Sequence, residues 1–362
     1  MRRAPALIVG GGPAGATLAL RLAGMGIPHL LVERTRETPD ALCGGFLSWH
    51  MLAMLERLGI EGEALNPLTV TRVRLVTRGA VAEAPLPSPA RAVSRRRLDS
   101  LLLAAAEREG AMIERGIGVR GVTDGVARLD DGACIGADTL FLASGKHDTR
   151  GLPRPPEARG DDPTLGIRVR LAPGIALDRL VGDAIELHLM DGGYAGLVRQ
   201  EDGSGNLCMA VRRSRLQAAG TPDRLLDALG GELPALGERL ALRVTGGGID
   251  AVANVPYGWR ATSTTPGVFR LGDQAGVIPS LAGEGMASAV ASALAAADAY
   301  RAGGTAAALS FQRQLAERLR RPIGIAAAAW HVGEQPWLRG LSVRLARLSP
   351  ALLPLLARAT RV

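Results

Sequence analysis

Gly10-Gly11-Gly12-Pro13-Ala14-Gly15 satisfies G-x-G-x-x-G, a spacing that can hold a dinucleotide. In that role Gly10 permits a tight turn, Gly12 lets backbone approach a pyrophosphate, and Gly15 lets a helix pack closely on a strand. Pro13 and Ala14 open that helix, whose free amides and partial positive charge favour phosphate oxygens. Glu33 lies 18 residues beyond Gly15. A carboxylate there can accept hydrogen bonds from ribose hydroxyls and would repel a 2′-phosphate, which disfavours NADP in this position. Far downstream, Gly272-Asp273 brings a second carboxylate, followed by Pro279-Ser280-Leu281-Ala282-Gly283-Glu284-Gly285-Met286. An aspartate at that point can bind the ribityl hydroxyls of a flavin. A helix starting after Gly283 can stabilise negative charge on the N1–C2=O edge of a reduced ring.

These residues need particular elements around them. Residues 4–9 read as a short buried strand, 13–25 as a helix stopped by Gly26-Ile27-Pro28, and 29–32 as a strand ending at Glu33. Together they form one βαβ unit. Residues 49–59 read as an amphipathic helix, 69–94 as valine-rich strands broken by prolines, 98–110 as a helix and 138–143 as a buried strand. Beyond a proline-rich linker at 153–163, residues 165–212 alternate as antiparallel strands, 222–242 look helical and 243–256 return to strand. A buried strand at 268–271 delivers Asp273, and 283–300 is an alanine-rich helix. Residues 306–360 are predicted helical, with breaks at Pro322, Pro336, Pro350 and Pro354.

With 362 residues, 47% hydrophobic and 22% charged, the chain can bury a sizeable core, which excludes disorder and a disulfide scaffold. Lys plus Arg is 43 against 35 acids, a net +8. Only Lys146 is lysine, leaving 43 − 1 = 42 arginines, so the charge looks like a coding bias rather than an adaptation to a polyanion. Aromatics at 3% are too few for a stacking platform, so no nucleic acid is expected as a partner. Cys43, Cys134 and Cys208 are widely spaced with no C-x-x-C, so neither a disulfide framework nor a metal site is expected. Arg2-Arg3 before an apolar run imitates a signal peptide, but the run is cut by Gly10 to Pro13. No stretch approaches the roughly 20 apolar residues that span a bilayer. A cytoplasmic protein is expected.

Three blocks together resemble the FAD-dependent oxidoreductases of the aromatic-hydroxylase and geranylgeranyl-reductase superfamily. They are the glycine motif with Glu33-Arg34, the block Val93-x-Arg95-x-x-Leu98-Asp99-x-x-Leu102, and Gly272-Asp273. They span most of the chain in the right order. The resemblance implies FAD as cofactor, with NADH or NADPH as a transient electron donor. It implies that Arg34 and Val119 touch the cofactor, that Arg95 reaches the pyrophosphate and Asp273 the ribityl chain, and that Pro279, Gly283, Gly285 and Met286 lie beside the isoalloxazine. Taken alone, Arg95 reads first as a solvated charge in the run Arg95-Arg96-Arg97, and the surrounding block turns the reading towards the pyrophosphate. Cys43-Gly44-Gly45-Phe46 resembles the cysteine-glycine loop that runs beside the flavin in the reductase branch. Its thiol either tunes the flavin and touches substrate, or simply packs. The hydroxylases usually carry an Asp-Gly pair near Ser144-Gly145-Lys146-His147, and this chain does not. Lys146 and His147 are either phosphate or nicotinamide contacts, or a polar cap on a strand.

A flavin carries the hard chemistry, so no catalytic triad is required. The reductase branch is marked by Tyr-x-Trp-x-Phe-Pro. Here Tyr194 is kept, while Gly196, Val198 and Arg199 stand where Trp, Phe and Pro would be. The Trp-x-Trp-x-x-Pro of flavin halogenases and a second glycine motif are both missing. The resemblance then points to a single-component monooxygenase. NAD(P)H reduces FAD, O2 forms an adduct with the flavin, and one oxygen passes to a small aromatic or polyketide-like substrate. The alternatives are a C=C reductase or dehydrogenase of a prenyl-like or other lipophilic substrate, and a non-catalytic electron-transfer flavoprotein. His188 and Tyr194, on adjacent strands, could orient the substrate, or His188 could be a half-exposed strand residue. Trp259 is a comparable candidate. Residues 322–361 hold apolar helices interspersed with Arg339, Arg344, Arg347, Arg358 and Arg361. They either lie on an anionic membrane and collect a lipophilic substrate, or pack over the FAD lobe.

The expected fold is α/β. A Rossmann-like FAD-binding lobe is assembled from residues 1–68, 90–152 and 262–305. A mainly antiparallel β-sheet substrate lobe (69–89 and 153–261) is inserted into it, and a helical segment (306–362) follows.

Overall fold

The computed structural model describes residues 1–361. Its first sheet holds β1 (Arg2–Val9), β2 (Leu30–Glu33), β6 (Met112–Arg115), β7 (Val119–Thr123), β8 (Val126–Leu129), β9 (Cys134–Leu142) and β15 (Val268–Arg270). Strands β6, β2, β1, β9 and β15 run parallel in that order, with Leu7 opposite Leu30 and Leu140, and Phe141 opposite Phe269. The antiparallel β7–β8 hairpin joins the start of β9, on Val126 opposite Gly136. Parallel strands are covered on both faces. Ala6, Leu7 and Ile8 are accordingly all fully buried.

One face of this sheet carries α1 (Pro13–Gly24), α2 (Trp49–Glu56), α3 (Gly62–Leu65), α4 (Arg95–Arg108) and α9 (Gly285–Gly303). Helix α1 buries nine residues, most of them small. Ser48 and Ser94 cap α2 and α4, each accepting a backbone N–H three residues on.

The second sheet runs β14 (Asp250–Val255), β10 (Thr164–Leu171), β13 (Gly205–Arg212), β12 (Gly193–Arg199), β11 (Ala184–Met190), β4 (Val70–Thr77), β5 (Ala80–Ala92) and β3 (Phe46–Leu47). It is antiparallel except where β11 meets β4, a parallel join with Leu187 opposite Leu75. That join stitches the early hairpin onto strands a hundred residues later. Helices α5 (Ile175–Val181), α6 (Arg213–Ala219), α7 (Pro222–Glu232) and α8 (Pro234–Leu240) cover its outer face over a core of Leu207, Leu229 and Leu236.

Helix α10 (Ala308–Glu334) returns to the first sheet, and α11 (Pro336–Leu348) and α12 (Leu352–Ala359) then pack on β4 and β5. Two expected breaks are corrected. Pro322 lies inside α10, where Phe311, Leu315 and Leu319 before it and Ile323, Ala326 and Trp330 after it are all buried. Tertiary packing there outweighs one lost hydrogen bond. Pro354 is the third residue of α12, where no intrahelical N–H is needed.

Candidate functional site

A cavity of about 1240 Å³ lies between the two sheets, larger than the roughly 300–1,000 Å³ of a typical ligand pocket. At one end are Gly10, Gly12, Pro13 and Ala14, with Glu33 and Arg34 from the end of β2 and Val119 from β7. Gly10 adopts φ +103°, and a Cβ there would stand 2.6 Å from the Ala143 carbonyl oxygen. A Cβ at Gly15 would sit 1.9 Å from the Gly10 carbonyl oxygen, so only glycine lets α1 begin this close to the turn. Helix α1 has no side-chain cap, and its amino terminus faces the cavity. The Glu33 carboxylate accepts from Gly11 N–H at 2.7 Å and from Thr35 N–H and Oγ1–H at 3.0 and 2.7 Å. These bonds fix its orientation at the cavity wall.

Arg95 is the first residue of α4, and its side chain points inward at 16% exposure, which overturns the solvated-charge reading. Its Nη2 would be 3.2 Å from a Cβ on Gly12, beside the amino terminus of α1. Asp99, one turn on, accepts from Arg95 Nη2 at 2.6 Å and Nε at 2.9 Å. Burial works against the Arg95 charge, but Asp99 outweighs it and the guanidinium pKa is raised. Burial also raises the Asp99 carboxyl, although Arg95 pulls it the other way. Asp40 accepts the Arg95 backbone N–H at 2.9 Å and pairs with Arg168 at 3.3 Å. No local sequence signal marked Asp40 or Arg168, since they meet only across the two lobes.

Further along the cavity stand Gly272 and Asp273, with Lys146 Nζ 3.8 Å from the Asp273 carboxylate. His147 also lines the wall, 3.2 Å from Arg34 Nη2. Burial, then Arg34, Lys146 and Arg154, lower its pKa, so it is a neutral ring near pH 7. Cys43 and Gly44 line the wall as well, the Cys43 carbonyl accepting from Asn206 Nδ2 at 2.9 Å. Cys208 faces the same space, its thiol pushed up to about 12, chiefly by burial. Gly283, Gly285 and Met286 follow on the wall, and a Cβ on Gly283 would touch the Phe46 ring at 2.8 Å. The cysteine-glycine loop and the start of α9 therefore face each other. Pro279 is buried just behind Ser280.

Tyr194 and His188 part company. Tyr194 faces the cavity opposite Leu189, whereas His188 is fully buried with its Nε2 3.0 Å from Glu186. Side chains alternate along β11, so Leu187 and Leu189 line the cavity while His188 joins Glu186 and Arg239 on the face under α8. His188 is neither a substrate contact nor half-exposed. Trp259 is also outside the cavity lining, with the Arg154 guanidinium 5.8 Å from its ring.

The missed feature is a hydroxyl cluster. Tyr194 Oη donates to Ser280 Oγ at 2.8 Å, and Tyr257 Oη lies 2.5 Å from the same oxygen. Burial raises both phenols well above the ordinary value, so both stay protonated. Three O–H hydrogens serve two bonds, and one is left for a ligand. Beyond this cluster the wall turns apolar, through Leu75, Leu86, Val332, Leu345, Leu353 and Leu356. Helices α11 and α12 supply the far end of it.

The site fits FAD in its donor chemistry. An uncapped helix start beside a buried arginine suits a pyrophosphate, and two carboxylates at separated points suit ribose and ribityl hydroxyls.

Residues 3–137 match the family model described as FAD binding domain. Menaquinone reductase of Mycolicibacterium smegmatis is 32% identical over 160 residues, a stretch covering 41% of this chain and 39% of that protein. A geranylgeranyl bacteriochlorophyll reductase-like protein from Thermoplasma acidophilum superposes with a TM-score of 0.72 at 19% identity, over 92% of this chain and 88% of that one. PqsL, a probable FAD-dependent monooxygenase from Pseudomonas aeruginosa, superposes with a TM-score of 0.70 at 16% identity, over 93% and 98%. Residues 3–137 therefore match an FAD binding domain, and the chain as a whole shares the fold of the geranylgeranyl bacteriochlorophyll reductase-like protein and of PqsL.

Proposed function

We propose that this chain is an FAD-dependent monooxygenase that hydroxylates a phenol-like ring carrying an apolar chain, with NADH or NADPH as electron donor. In this reading Glu33 holds the adenosine ribose, the start of α1 and Arg95 hold the pyrophosphate, and Asp273 holds the ribityl chain. Gly283, Gly285 and Met286 flank the ring, with Pro279 behind them. Bound FAD supplies the redox chemistry.

The observation that carries the reading is the position of the polar groups. The Tyr194–Ser280–Tyr257 cluster sits at the Pro279–Met286 end of the cavity, and the wall beyond it is apolar. A polar ring is thus held next to the flavin and its hydrocarbon chain points away, which makes the ring the reacting part. The free hydroxyl hydrogen orients the ring substituent, and the raised tyrosine pKa values keep these groups hydrogen-bond partners rather than bases. The leucine wall excludes water from the reacting face. The overall balance is substrate–H, O2, NAD(P)H and a proton giving substrate–OH, water and NAD(P)+.

The similarity to a menaquinone reductase favours a second reading, transfer of two hydrogens to a C=C bond of the chain. Product mass after turnover under 18O2 separates the two. Gain of one labelled oxygen is expected. A product heavier by two hydrogens and free of label would replace hydroxylation by reduction.

A further inference from the structure

We propose that the outer face of α11 and α12 docks on an anionic phospholipid bilayer, and that the cavity opens through this face so that substrate enters directly from the lipid. The entry route rests on the lipophilic-substrate reading above. The docking surface stands on its own observations.

Trp337, Leu341, Leu345 and Leu348 form one stripe along α11, and α12 continues it with Leu352, Leu355 and Leu356. All seven are exposed, Trp337 at 70% and Leu348 at 84%. Ordinary surfaces scatter such residues singly, whereas these are contiguous. The charge around them has one sign. Residues 335–361 contain five arginines and no acid. Arg339 is taken by Asp191 and Arg361 by Glu284. Arg344, Arg347 and Arg358 are exposed and have no ion pair among the described residues. Apolar side chains flanked by unpaired arginines match the headgroup region of an anionic leaflet.

The face lies on the membrane rather than crossing it. No single helix among the described residues is long and apolar enough to span, and α11 and α12 meet at a 114° bend. Their inner sides are committed to the second sheet, through Val343 and Ala346. Leu345, Leu352 and Leu356 belong both to the cavity wall and to the exposed stripe. The stripe is therefore the rim of the cavity mouth, and a hydrocarbon chain can pass from lipid to site without crossing water.

The test uses the full-length flavin-loaded protein in flotation with phosphatidylcholine vesicles, alone or doped with phosphatidylglycerol. Acyl-brominated lipids report on Trp337. Wild type is expected to float with the doped vesicles in a salt-sensitive way, with emission quenching that W337F lacks. Arg344→Gln/Arg347→Gln/Arg358→Gln should weaken that binding on the order of a hundredfold. Leu348→Glu/Leu355→Glu, two residues outside the cavity lining, should abolish it while flavin content and soluble-phenol turnover stay at wild type. No preference of wild type for doped vesicles would overturn the proposal. So would a lipid-free dimer that the leucine variant dissociates, since a second copy would then own the face. Vesicle binding together with equal turnover of short- and long-chain phenols would support docking and sink the substrate reading alone.

Discussion

Arg95 offers the sharpest separation of binding from stability. Its guanidinium and the Asp99 carboxylate form a mostly buried pair, with side-chain exposures of 16% and 6% and a shortest contact of 2.6 Å. Arg95→Met removes the cation and leaves Asp99 buried without it, which should cost about 3–5 kcal/mol. The cost has a pH signature. Burial and then Glu33 raise the Asp99 carboxyl from 3.8, with Arg95 opposing them, and losing Arg95 raises it further. A folded-state pKa above the unfolded one means that the unfolded chain releases the proton first as pH rises. The penalty is therefore absent below about pH 4 and grows as pH climbs through the window above it. Arg95→Met should lose more thermal stability at pH 8 than at pH 5. Arg95→Met/Asp99→Leu removes both charges and should recover most of that stability, because an apolar pair can replace a buried ion pair. It should still bind FAD poorly. A charged hydrogen bond to phosphate is worth about 1.5–3 kcal/mol, or roughly ten- to hundredfold in affinity. Titration of apoprotein with FAD, beside thermal unfolding, reads both quantities. A double variant that unfolds like wild type and binds FAD equally tightly would refute the placement of Arg95 at the pyrophosphate.

Three further outcomes are expected. Gly15→Ala puts a Cβ 1.9 Å from the Gly10 carbonyl oxygen, and should cost about 4 kcal/mol or more, read as lost yellow protein and a lowered Tm. Burial alone would raise Glu186, but hydrogen bonds from His188 and Arg239 hold it at about 2 rather than 4.5. That contributes roughly 3 kcal/mol above the unfolded pKa, lost as pH falls through 4.5 towards 2, and urea midpoints should fall more steeply on the acid side in wild type than in Glu186→Gln. Ser280→Ala removes the oxygen that both tyrosines share, and should raise KM for a phenolic substrate about five- to tenfold with FAD affinity unchanged. Equal KM values would remove the cluster from substrate recognition.

The parts legible in the sequence are those whose signal is local. The glycine spacing, the strand before it and Glu33 after it lie within one βαβ unit, and that unit is present. Arg95 could not be told from Arg96 and Arg97 by charge, because only helix phase turns the first of them inward. His188 failed for a related reason. Alternation shows that residues 187 and 188 face opposite ways, but which face meets the cavity depends on where α8 packs. The β4–β11 pairing and the meeting of Tyr194, Tyr257 and Ser280 join segments far apart in the chain, which no spacing rule connects. Pro322 was read by local propensity, and buried neighbours on both sides override it.

The topology of the first sheet also constrains synthesis. β1 must wait for β9, β9 for β15, and α1 for its partner α9, which ends at residue 303. Residues 3–137 are thus a matched unit without being a complete folding unit, since the buried face of α1 rests on both α4 and α9, and its α9 side stays uncovered until α9 exists. The 303 − 137 = 166 residues between leave the ribosome over roughly ten to thirty seconds. During that interval the nucleotide lobe is an open template, and the later sheet, whose strands are nearly all complete by residue 212, can close first. Nascent chains stalled before residue 285 should accordingly hold chaperones and no flavin.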